Sequence, residues 1–396
     1  MIKFLDTIAP EDLNGKKVLL RVDFNMPVKE ENKIANDFKV KAQRETIDYL
    51  LQNGAKVLLV SHFDAGETFL PITEELGEIL GQIISLVPHA EISSLNDLFQ
   101  TSPILLLDNI RQDKREEAND DDFARGLSQD FDFYINDAFS VSHRNHAMIT
   151  AVTKFLPSFG GFLMKKETEN LSAALRASPE GKILVLGGAK ISTKLPVINN
   201  FLDKAEKILV GGALANDFWQ DRGLRMGASL VDDSVAVSLD IASQEIVLPN
   251  DILVSKGWTP EKVRTLVSQG WPALENLNIK PAVSEIRDLE SDEAIVDIGP
   301  QSAGKFASIV EKSEMVIWNG PMGLAEVEPF FHGTEIIAKA VAGANRSIIG
   351  GGETIAAAAK LDLLDKFGYV STGGGAMLEF LAGNRLPGLE ALGYYE

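Results

Sequence analysis

The chain has 396 residues, of which 45% are hydrophobic and 24% charged, and its formal net charge at pH 7 is -19. This length is more than one hydrophobic core usually serves, so we expect two domains. The negative charge argues against nucleic acid and anionic membranes as partners, because both would be repelled. The lack of cysteine excludes disulfides and thiolate metal sites, and it is typical of a cytoplasmic protein.

Short apolar strands alternate with helical patterns along the chain. The first part has strands at KVLLRVD, AKVLLVS, ILLLDN and FDFYIND, and the second at KILVLGG, KILVGG, EAIVDIG, MVIWNG, SIIGGG and YVSTGG. This order predicts an α/β protein with two doubly wound parallel-sheet domains. The segment 156–178 interrupts the rhythm with a proline, a glycine pair and one amphipathic helix, so we interpret it as the connection between the domains.

Polar residues follow the strands of the first half, at the sheet edge where open parallel sheets bind ligands. In LLRVDFNMPV, residues 19–28, apolar side chains alternate with Arg21, Asp23 and Asn25. Later strands are followed by further cationic or polar residues: His62, Arg111, His143, Arg144 and His146. Arginine binds phosphate or carboxylate through two parallel hydrogen bonds, so this set predicts an anionic substrate. The histidines lack the carboxylate spacing of a metal site, and we favour a structural or phosphate-contacting role.

Glycines occupy the equivalent positions in the second half: Gly187–Gly188, Gly211–Gly212, Gly320, Gly350–Gly352 and Gly373–Gly375. Glycine lets backbone N–H groups approach phosphate oxygens, and the following helix N-terminus attracts anions. One glycine pair is most often only a turn, but five such positions favour a nucleotide site. Lys190 and Lys194 lie four apart after the first pair, and without the glycines they would be interpreted as surface lysines.

The segment GPQSAGKF, residues 299–306, has the glycine and lysine spacing of a phosphate-binding P-loop. Phe306 stands where that motif needs a hydroxyl group for magnesium. We therefore do not interpret this segment as a nucleotide site. A nucleotide on one domain and a small anion on the other, joined by a hinge, instead predict phosphoryl transfer on closure, aided by Mg²⁺, lysine and arginine.

The motifs of this chain resemble those of the phosphoglycerate kinase family, from about residue 17 to 392. They are RVDFNMPV, LLLDNIR, INDAFSVSHRNH, LGGAKISTK, LPND, DIGP, WNGPMGLAE, GGGETIAAA and STGGGAMLEFLAGNRLPGLEAL. The resemblance implies a glycolytic transferase that moves a phosphoryl group between 1,3-bisphosphoglycerate and ADP, giving 3-phosphoglycerate and ATP with Mg²⁺. It also implies a cytoplasmic monomer without nucleic-acid or membrane partners. The acid-substrate domain would comprise 1–155 and 381–396, and the nucleotide domain 179–380.

The resemblance also assigns roles to individual residues. The acid substrate would be held by Asp23, Asn25, His62, Arg111 and Arg144. The catalytic cations would be Lys39, Lys190 and Lys194, of which the last two also hold nucleotide phosphates. Other nucleotide-binding residues would be Gly188, Gly212, Asn319, Glu326, Gly350, Gly351, Gly352, Glu353, Thr354, Gly373 and Gly374. Glu353 would also contact the metal, together with the nucleotide phosphates.

Three departures from the family pattern concern these sites. Where the family has an arginine in TRI, this chain has Lys39, and where it has SHLGRP, this chain reads SHFDAG with Asp64 and Ala65. Glu353 replaces an aspartate and keeps its metal chemistry. Lysine lacks the planar fork of arginine, and Asp64 would repel a substrate phosphate unless it pairs with His62 or with a lysine such as Lys41. These changes predict weakened activity.

Two alternatives remain open. The first is a kinase for another carboxylate or acyl phosphate, because most of the changes lie in the acid-substrate half. The second is a nucleotide-binding protein that has lost catalysis.

Overall fold

The computed structural model describes residues 2–29, 33–232, 244–259, 261–262 and 280–395. Backbone contacts divide the chain into unit 1, residues 1–169 with 385–396, and unit 2, residues 170–384. The division falls inside the helix Phe162–Arg176. Parts of the predicted nucleotide domain, at 233–243, 260 and 263–279, lie outside the described residues.

Unit 1 contains a six-stranded parallel sheet in the order β5-β6-β4-β1-β7-β8. Its strands are β1 Lys17–Arg21, β4 Lys56–Val60, β5 Ser85–Val87, β6 Ile104–Leu107, β7 Phe133–Asn136 and β8 Ser158–Gly160. A small antiparallel pair is formed by β2 Val28–Lys29 and β3 Lys33–Ile34. The α-helices are Pro10–Leu13, Phe38–Ala42, Arg44–Gln52, Thr73–Leu80, Leu95–Leu98, Lys114–Glu117, Asp121–Ser128 and Pro387–Ala391.

The four central strands of this sheet, β1, β4, β6 and β7, are buried on both faces, as parallel strands covered by helices must be, while the edge strands β5 and β8 are partly exposed. Along β1, Val18 and Leu20 pack into one hydrophobic core, and Leu19 packs into another. Because side chains alternate along a strand, these cores lie on opposite faces of the sheet. The segment after residue 384 packs on this unit, where Gly388 N donates a hydrogen bond to Ser142 O over 2.8 Å.

Unit 2 contains a second six-stranded parallel sheet, in the order β11-β10-β9-β15-β16-β17. Its strands are β9 Lys182–Leu186, β10 Lys207–Val210, β11 Ile246–Val247, β15 Met315–Asn319, β16 Ser347–Gly350 and β17 Tyr369–Val370. The α-helices include Ile191–Phe201, Gly212–Asp221, Pro300–Val310, His332–Ala342, Gly352–Lys360 and Gly374–Leu381. The prediction of two parallel-sheet α/β domains is confirmed.

One predicted strand does not join the parallel sheet. The segment EAIVDI forms β14, Glu293–Ile298, which pairs antiparallel with β12, Asp251–Lys256. A third strand, β13 Ala282–Glu285, pairs on the other side of β12. Among the described residues, no helix is both long enough and apolar enough to cross a lipid bilayer.

Candidate active site

Asp23 lies at the carboxyl edge of the unit 1 sheet and accepts three hydrogen bonds from described residues. Its side chain is buried, and Lys39 Nζ donates a hydrogen bond to Oδ2 over 2.7 Å. The Ser140 hydroxyl donates to the same oxygen, and Asn25 N donates to Oδ1 over 2.9 Å. Burial alone would raise the pKa of Asp23, but the charge of Lys39 and the hydrogen bonds from Lys39 and Ser140 act together against it, and this pKa is lowered to about 2. Asp23 is therefore an anion that positions the Lys39 ammonium group.

Lys39 lies in the short helix Phe38–Ala42, and its Nζ also donates to Asn25 O over 3.2 Å. Its side chain is 31% exposed, so the ammonium group is held on one side and open to solvent on the other. This arrangement offers a single positive charge to a ligand. An arginine would offer two parallel donors at the same place.

Asp64 connects the residues that were predicted to bind the acid substrate. Its backbone N donates to Asn25 Oδ1 over 2.9 Å, and Asn25 Nδ2 donates to its Oδ2 over 2.9 Å. Arg111 Nη1 forms an ion pair with Asp64 Oδ1. We predicted His62 or Lys41 as the partner of Asp64, but its main partners are Arg111 and Asn25. His62 Nε2 lies 3.9 Å from Asp64 Oδ2, and Lys41 pairs with Asp37 instead.

His62 is a neutral hydrogen-bonding group in this edge. Burial lowers its pKa to about 2, with a further contribution from the Arg21 guanidinium. Its Nδ1 is buried, without a hydrogen-bond partner among the described residues. A buried donor or acceptor without a partner is costly, so a ligand that bonds this nitrogen would gain free energy.

Acidification should destabilise the fold through His62. The unfolded chain takes up a proton on this residue below about pH 6.5, while the folded chain does not until about pH 2, so stability is lost as the pH falls below 6.5. When the pH is lowered from 7 to 5, the unfolding free energy of His62→Asn should fall by about 2 kcal/mol less than that of the parent. Urea denaturation at the two pH values measures this difference. The exposed His332→Asn is the control. Equal losses in His62→Asn and the parent would contradict this assignment.

Arg144 follows β7 and is half-buried, and it has no ion-pair partner among the described residues. Burial lowers the pKa of His62, and it lowers the pKa of His146 to about 4. The positive charge of Arg144 contributes to both shifts, so Arg144 lies near these two histidines. In the described part of the chain, no three or more metal-ligating side chains are grouped closely enough to hold a metal ion, so His143 and His146 do not belong to such a group. Arg144 is therefore available to a substrate anion.

Three residues of this edge escaped sequence reasoning. Ser140 bonds Asp23, Glu117 Oε1 lies 3.4 Å from Arg111 Nε, and Glu116 lies 4.0 Å from the buried Arg21. Ser140 is within NDAFSVSH and could have been suspected from its place after a strand. Glu116 had no such signal, because its partner Arg21 comes from a distant part of the chain, whereas Glu117 lies near Arg111 in sequence and was overlooked.

In unit 2, the predicted glycines meet at the carboxyl ends of neighbouring strands. A side chain on Gly212 would come within 2.6 Å of Gly188 N, and one on Gly374 within 2.8 Å of Gly351 Cα. Gly188 and Gly351 also have φ of +77° and +97°, which only glycine adopts without strain. Helices Ile191–Phe201, Gly212–Asp221, Gly352–Lys360 and Gly374–Leu381 begin here, and no side chain caps their first N–H groups. In the helix Gly212–Asp221 the N–H groups of Gly212 and Leu214 donate to Met322 O and Gly188 O, so it is the N–H groups left unbonded at these N-termini that suit an anion.

Lys194 and Glu353 lie beside the first glycine turn. A Cβ on Gly188 would lie 3.4 Å from Lys194 Nζ and 3.5 Å from Glu353 Oε2. Lys194 is 7% exposed, and burial lowers its pKa while the Glu353 carboxylate opposes this shift. Lys190 precedes the same helix and is exposed. A buried cation next to uncapped N–H groups suits a phosphate ligand.

Asn319 and Thr354 occupy the next turns of this edge. Thr354 Oγ1 accepts a hydrogen bond from Gly320 N over 2.7 Å, so its hydroxyl holds a glycine turn. Asn319 is 5% exposed, and its Nδ2 has no hydrogen-bond partner among the described residues. This amide nitrogen is an unused donor close to Gly351, where a Cβ would lie 3.1 Å from it.

A cavity of about 190 Å³ opens next to this edge, entirely within unit 2. Four predicted nucleotide-binding residues line it: Gly188, Gly212, Glu326 and Glu353. The other predicted positions lie off the cavity. Sequence reasoning missed Asn216, Trp219, Trp258 and Asp297 in its wall. Burial raises the pKa of Glu326, and it raises that of Asp297 to about 7.

The P-loop frame GPQSAGKF is a helix in the structure. Gly304 and Lys305 lie inside the helix Pro300–Val310, so this segment forms no loop around a phosphate. Comparison with known proteins then decides the family. The phosphoglycerate kinase family model matches residues 8–384. The chain belongs to the phosphoglycerate kinase family. The predictions of this family and of a phosphotransferase enzyme are confirmed.

Curated phosphoglycerate kinases match the chain over nearly its whole length. The protein of Moorella thermoacetica is 38% identical, with 98% of each chain covered. That of Thermosipho africanus is 38% identical, with 98% of this chain and 97% of the relative covered. The structure is similar to that of phosphoglycerate kinase from Pyrococcus horikoshii, with a TM-score of 0.83, 31% identity and coverage of 99% and 98%. For the enzyme from Coxiella burnetii the TM-score is 0.79, with 29% identity and coverage of 100% and 99%.

Proposed function

We propose that this protein is a cytoplasmic, monomeric enzyme of glycolysis that transfers a phosphoryl group reversibly between 1,3-bisphosphoglycerate and ADP, giving 3-phosphoglycerate and ATP. The observation that carries the proposal is the chemical difference between the two sheet edges. The edge of unit 1 presents Lys39, which is held by Asp23, together with Arg111 and Arg144. The edge of unit 2 presents uncapped helix N-termini beside Lys194.

On unit 1, Arg111 and Arg144 bind the anionic groups of 3-phosphoglycerate, and neutral His62 bonds one of its oxygens. The Asp23 carboxylate accepts a hydrogen bond from its hydroxyl group, and the Asn25 side-chain amide donates one to the hydroxyl oxygen. Asp23 and Asn25 O hold the Lys39 ammonium group beside these residues. From there Lys39 neutralises charge on the transferring phosphoryl group. No general base is needed, since the acceptor is already a carboxylate.

On unit 2, the N–H groups that follow Gly188, Gly212, Gly351 and Gly373 hold nucleotide phosphates, with Lys190, Lys194 and Asn319 Nδ2. Glu326 contacts the ribose. The chemistry of the donors fits Mg²⁺, because Glu353 is one carboxylate beside a phosphate-binding edge, and Mg²⁺ in such sites binds phosphates, water and one or two carboxylates. When bound, the metal neutralises phosphate charge. Closure about a hinge brings the substrates together.

A coupled assay with MgATP and 3-phosphoglycerate tests this function. Turnover that depends on both substrates and on Mg²⁺ supports it, even at a low rate. An absence of turnover with MgADP still binding would contradict it. A screen of other small carboxylates would then separate a kinase for a different acid from a nucleotide-binding protein without catalysis.

Restoring the two arginines of the family pattern should raise activity. Lys39→Arg with Ala65→Arg supplies two planar forks for phosphate, and we expect kcat/KM for 3-phosphoglycerate to rise by about tenfold or more. Lys41→Arg with Ala65→Ser is the control, because Lys41 pairs with Asp37 on the surface. An unchanged or lower kcat/KM in the double arginine variant would show that the site serves a different acid.

A further inference from the structure

The loop after β4 places a carboxylate on the residues that bind the acid substrate in the proposed function. Asp64 forms an ion pair with Arg111 Nη1, and it accepts a hydrogen bond from Asn25 Nδ2. A substrate carboxylate or phosphate would present the same kind of oxygen to the same two donors. Asp64 therefore places a carboxylate oxygen of this chain where an oxygen of the substrate would bind.

Carboxylates of this chain lie at both bidentate edges of Arg111. A guanidinium group offers two such edges, formed by Nη1 with Nη2 and by Nε with Nη2. Asp64 engages Nη1, and Glu117 Oε1 lies 3.4 Å from Nε. Each edge thus has one donor next to a carboxylate. Nε itself has no hydrogen-bond partner among the described residues, so the donor that is already bonded is Nη1, and a phosphate gains it only when the Asp64 carboxylate moves away.

Asp64 can move without loss of the loop structure. Its side chain is 48% exposed, and exposed ion pairs are weak. Neutral His62 does not hold it by charge, because burial keeps the pKa of this histidine at about 2. The backbone of Asp64 remains bonded to Asn25 Oδ1 when the carboxylate rotates away. Displacement is therefore possible but reduces the net gain from substrate binding.

We propose that Asp64 is an internal competitor of the acid substrate: its carboxylate occupies Arg111 and Asn25 and sets the KM for the phosphorylated acid. The proposal rests on the proposed function, because it names a residue that controls substrate affinity in that site. It explains how the chain tolerates an acidic residue there. In the free protein the negative charge of Asp64 is paired with Arg111, and the carboxylate is displaced when substrate binds.

Variants at position 64 test this competition. Asp64→Asn keeps the size of the side chain but removes the charge, and Asp64→Gly removes the side chain. In both, the KM for 3-phosphoglycerate should fall about two- to fivefold while kcat changes less than about 1.5-fold. Asp64→Glu keeps the charge and should keep the KM near that of the parent. Asp122→Asn, which removes an exposed ion pair with Arg125, is the control. Calorimetric titration with 3-phosphoglycerate alone should show the same fall in Kd.

The outcomes separate this proposal from the proposed function. If the parent turns over and neither Asp64→Asn nor Asp64→Gly lowers KM, the competition is wrong and the function stands. A higher KM with a lower kcat would show instead that Asp64 positions Arg111, which also overturns the proposal. If the parent is inactive but Asp64→Asn turns over, the competition is supported in its strongest form. If parent and variants neither bind nor phosphorylate 3-phosphoglycerate, both ideas fail.

Discussion

Lys194→Met should lower kcat by about 10² to 10³-fold while the protein stays folded. Lys194 is the buried cation of the nucleotide edge, next to Gly188 and Glu353. A charge held in such a low-dielectric place stabilises developing charge on the phosphoryl group, and the loss of one such donor typically has this effect. Methionine fills a similar volume, so the expected change is in the rate and not in the fold.

The measurement for Lys194→Met is steady-state kinetics with both substrates, together with the thermal unfolding midpoint. Lys305→Met is the control, because Lys305 is exposed on the helix Pro300–Val310 and carries the rejected P-loop frame. We expect this control to keep the parent kcat. A Lys194→Met enzyme with more than half of the parent kcat would mean that the buried ammonium group has no part in the reaction.

Lys39→Met should have the second largest effect, with kcat reduced by about 10²-fold and a lower unfolding midpoint. Lys39 is the cation that faces solvent beside Asp23, so its removal takes positive charge from the transferring group. It also leaves the buried Asp23 carboxylate without its ion-pair partner. The pKa of Asp23 would then rise, because burial is no longer opposed by the lysine charge.

The matched control for Lys39→Met lies two residues away on the same helix. Lys41 is 61% exposed and pairs with Asp37, so Lys41→Met should change neither kcat nor the midpoint appreciably. The same kinetic and thermal measurements apply to both variants. If the two variants behave alike, Lys39 has no catalytic role. The chain would then have lost its catalytic cation when lysine replaced the arginine of the family pattern.

The architecture was predictable because it follows from local patterns. Strand and helix periods alternate along the chain, and the residues after each strand meet at one sheet edge in any open parallel sheet. Asp23 and Arg111 in one unit, and Gly188 and Gly351 in the other, could therefore be selected before their contacts were known. The glycine runs also indicated where the backbone can take a positive φ, since few other residues adopt that conformation.

The contacts that set the electrostatics were not predictable from local patterns. Asp64 could be recognised as a departure from the family, but its partner Arg111 lies 47 residues further along the chain. The pairing of β14 with β12, and the tryptophans in the cavity wall, likewise depend on how distant segments pack. Spacing in sequence carries no information on such partners, so the direction of each pKa shift came only with the structure.

Hydrogen exchange of the full chain, with MgADP alone and with 3-phosphoglycerate alone, tests most directly whether each substrate has its own edge. We predict that MgADP slows exchange at 187–191, 212–214 and 352–354 and leaves 23–25, 62–66 and 110–112 unchanged. With 3-phosphoglycerate the pattern should be reversed. Protection of the Asp23 edge by MgADP alone, or of the glycine edge by 3-phosphoglycerate alone, would contradict the assignment of the two sites.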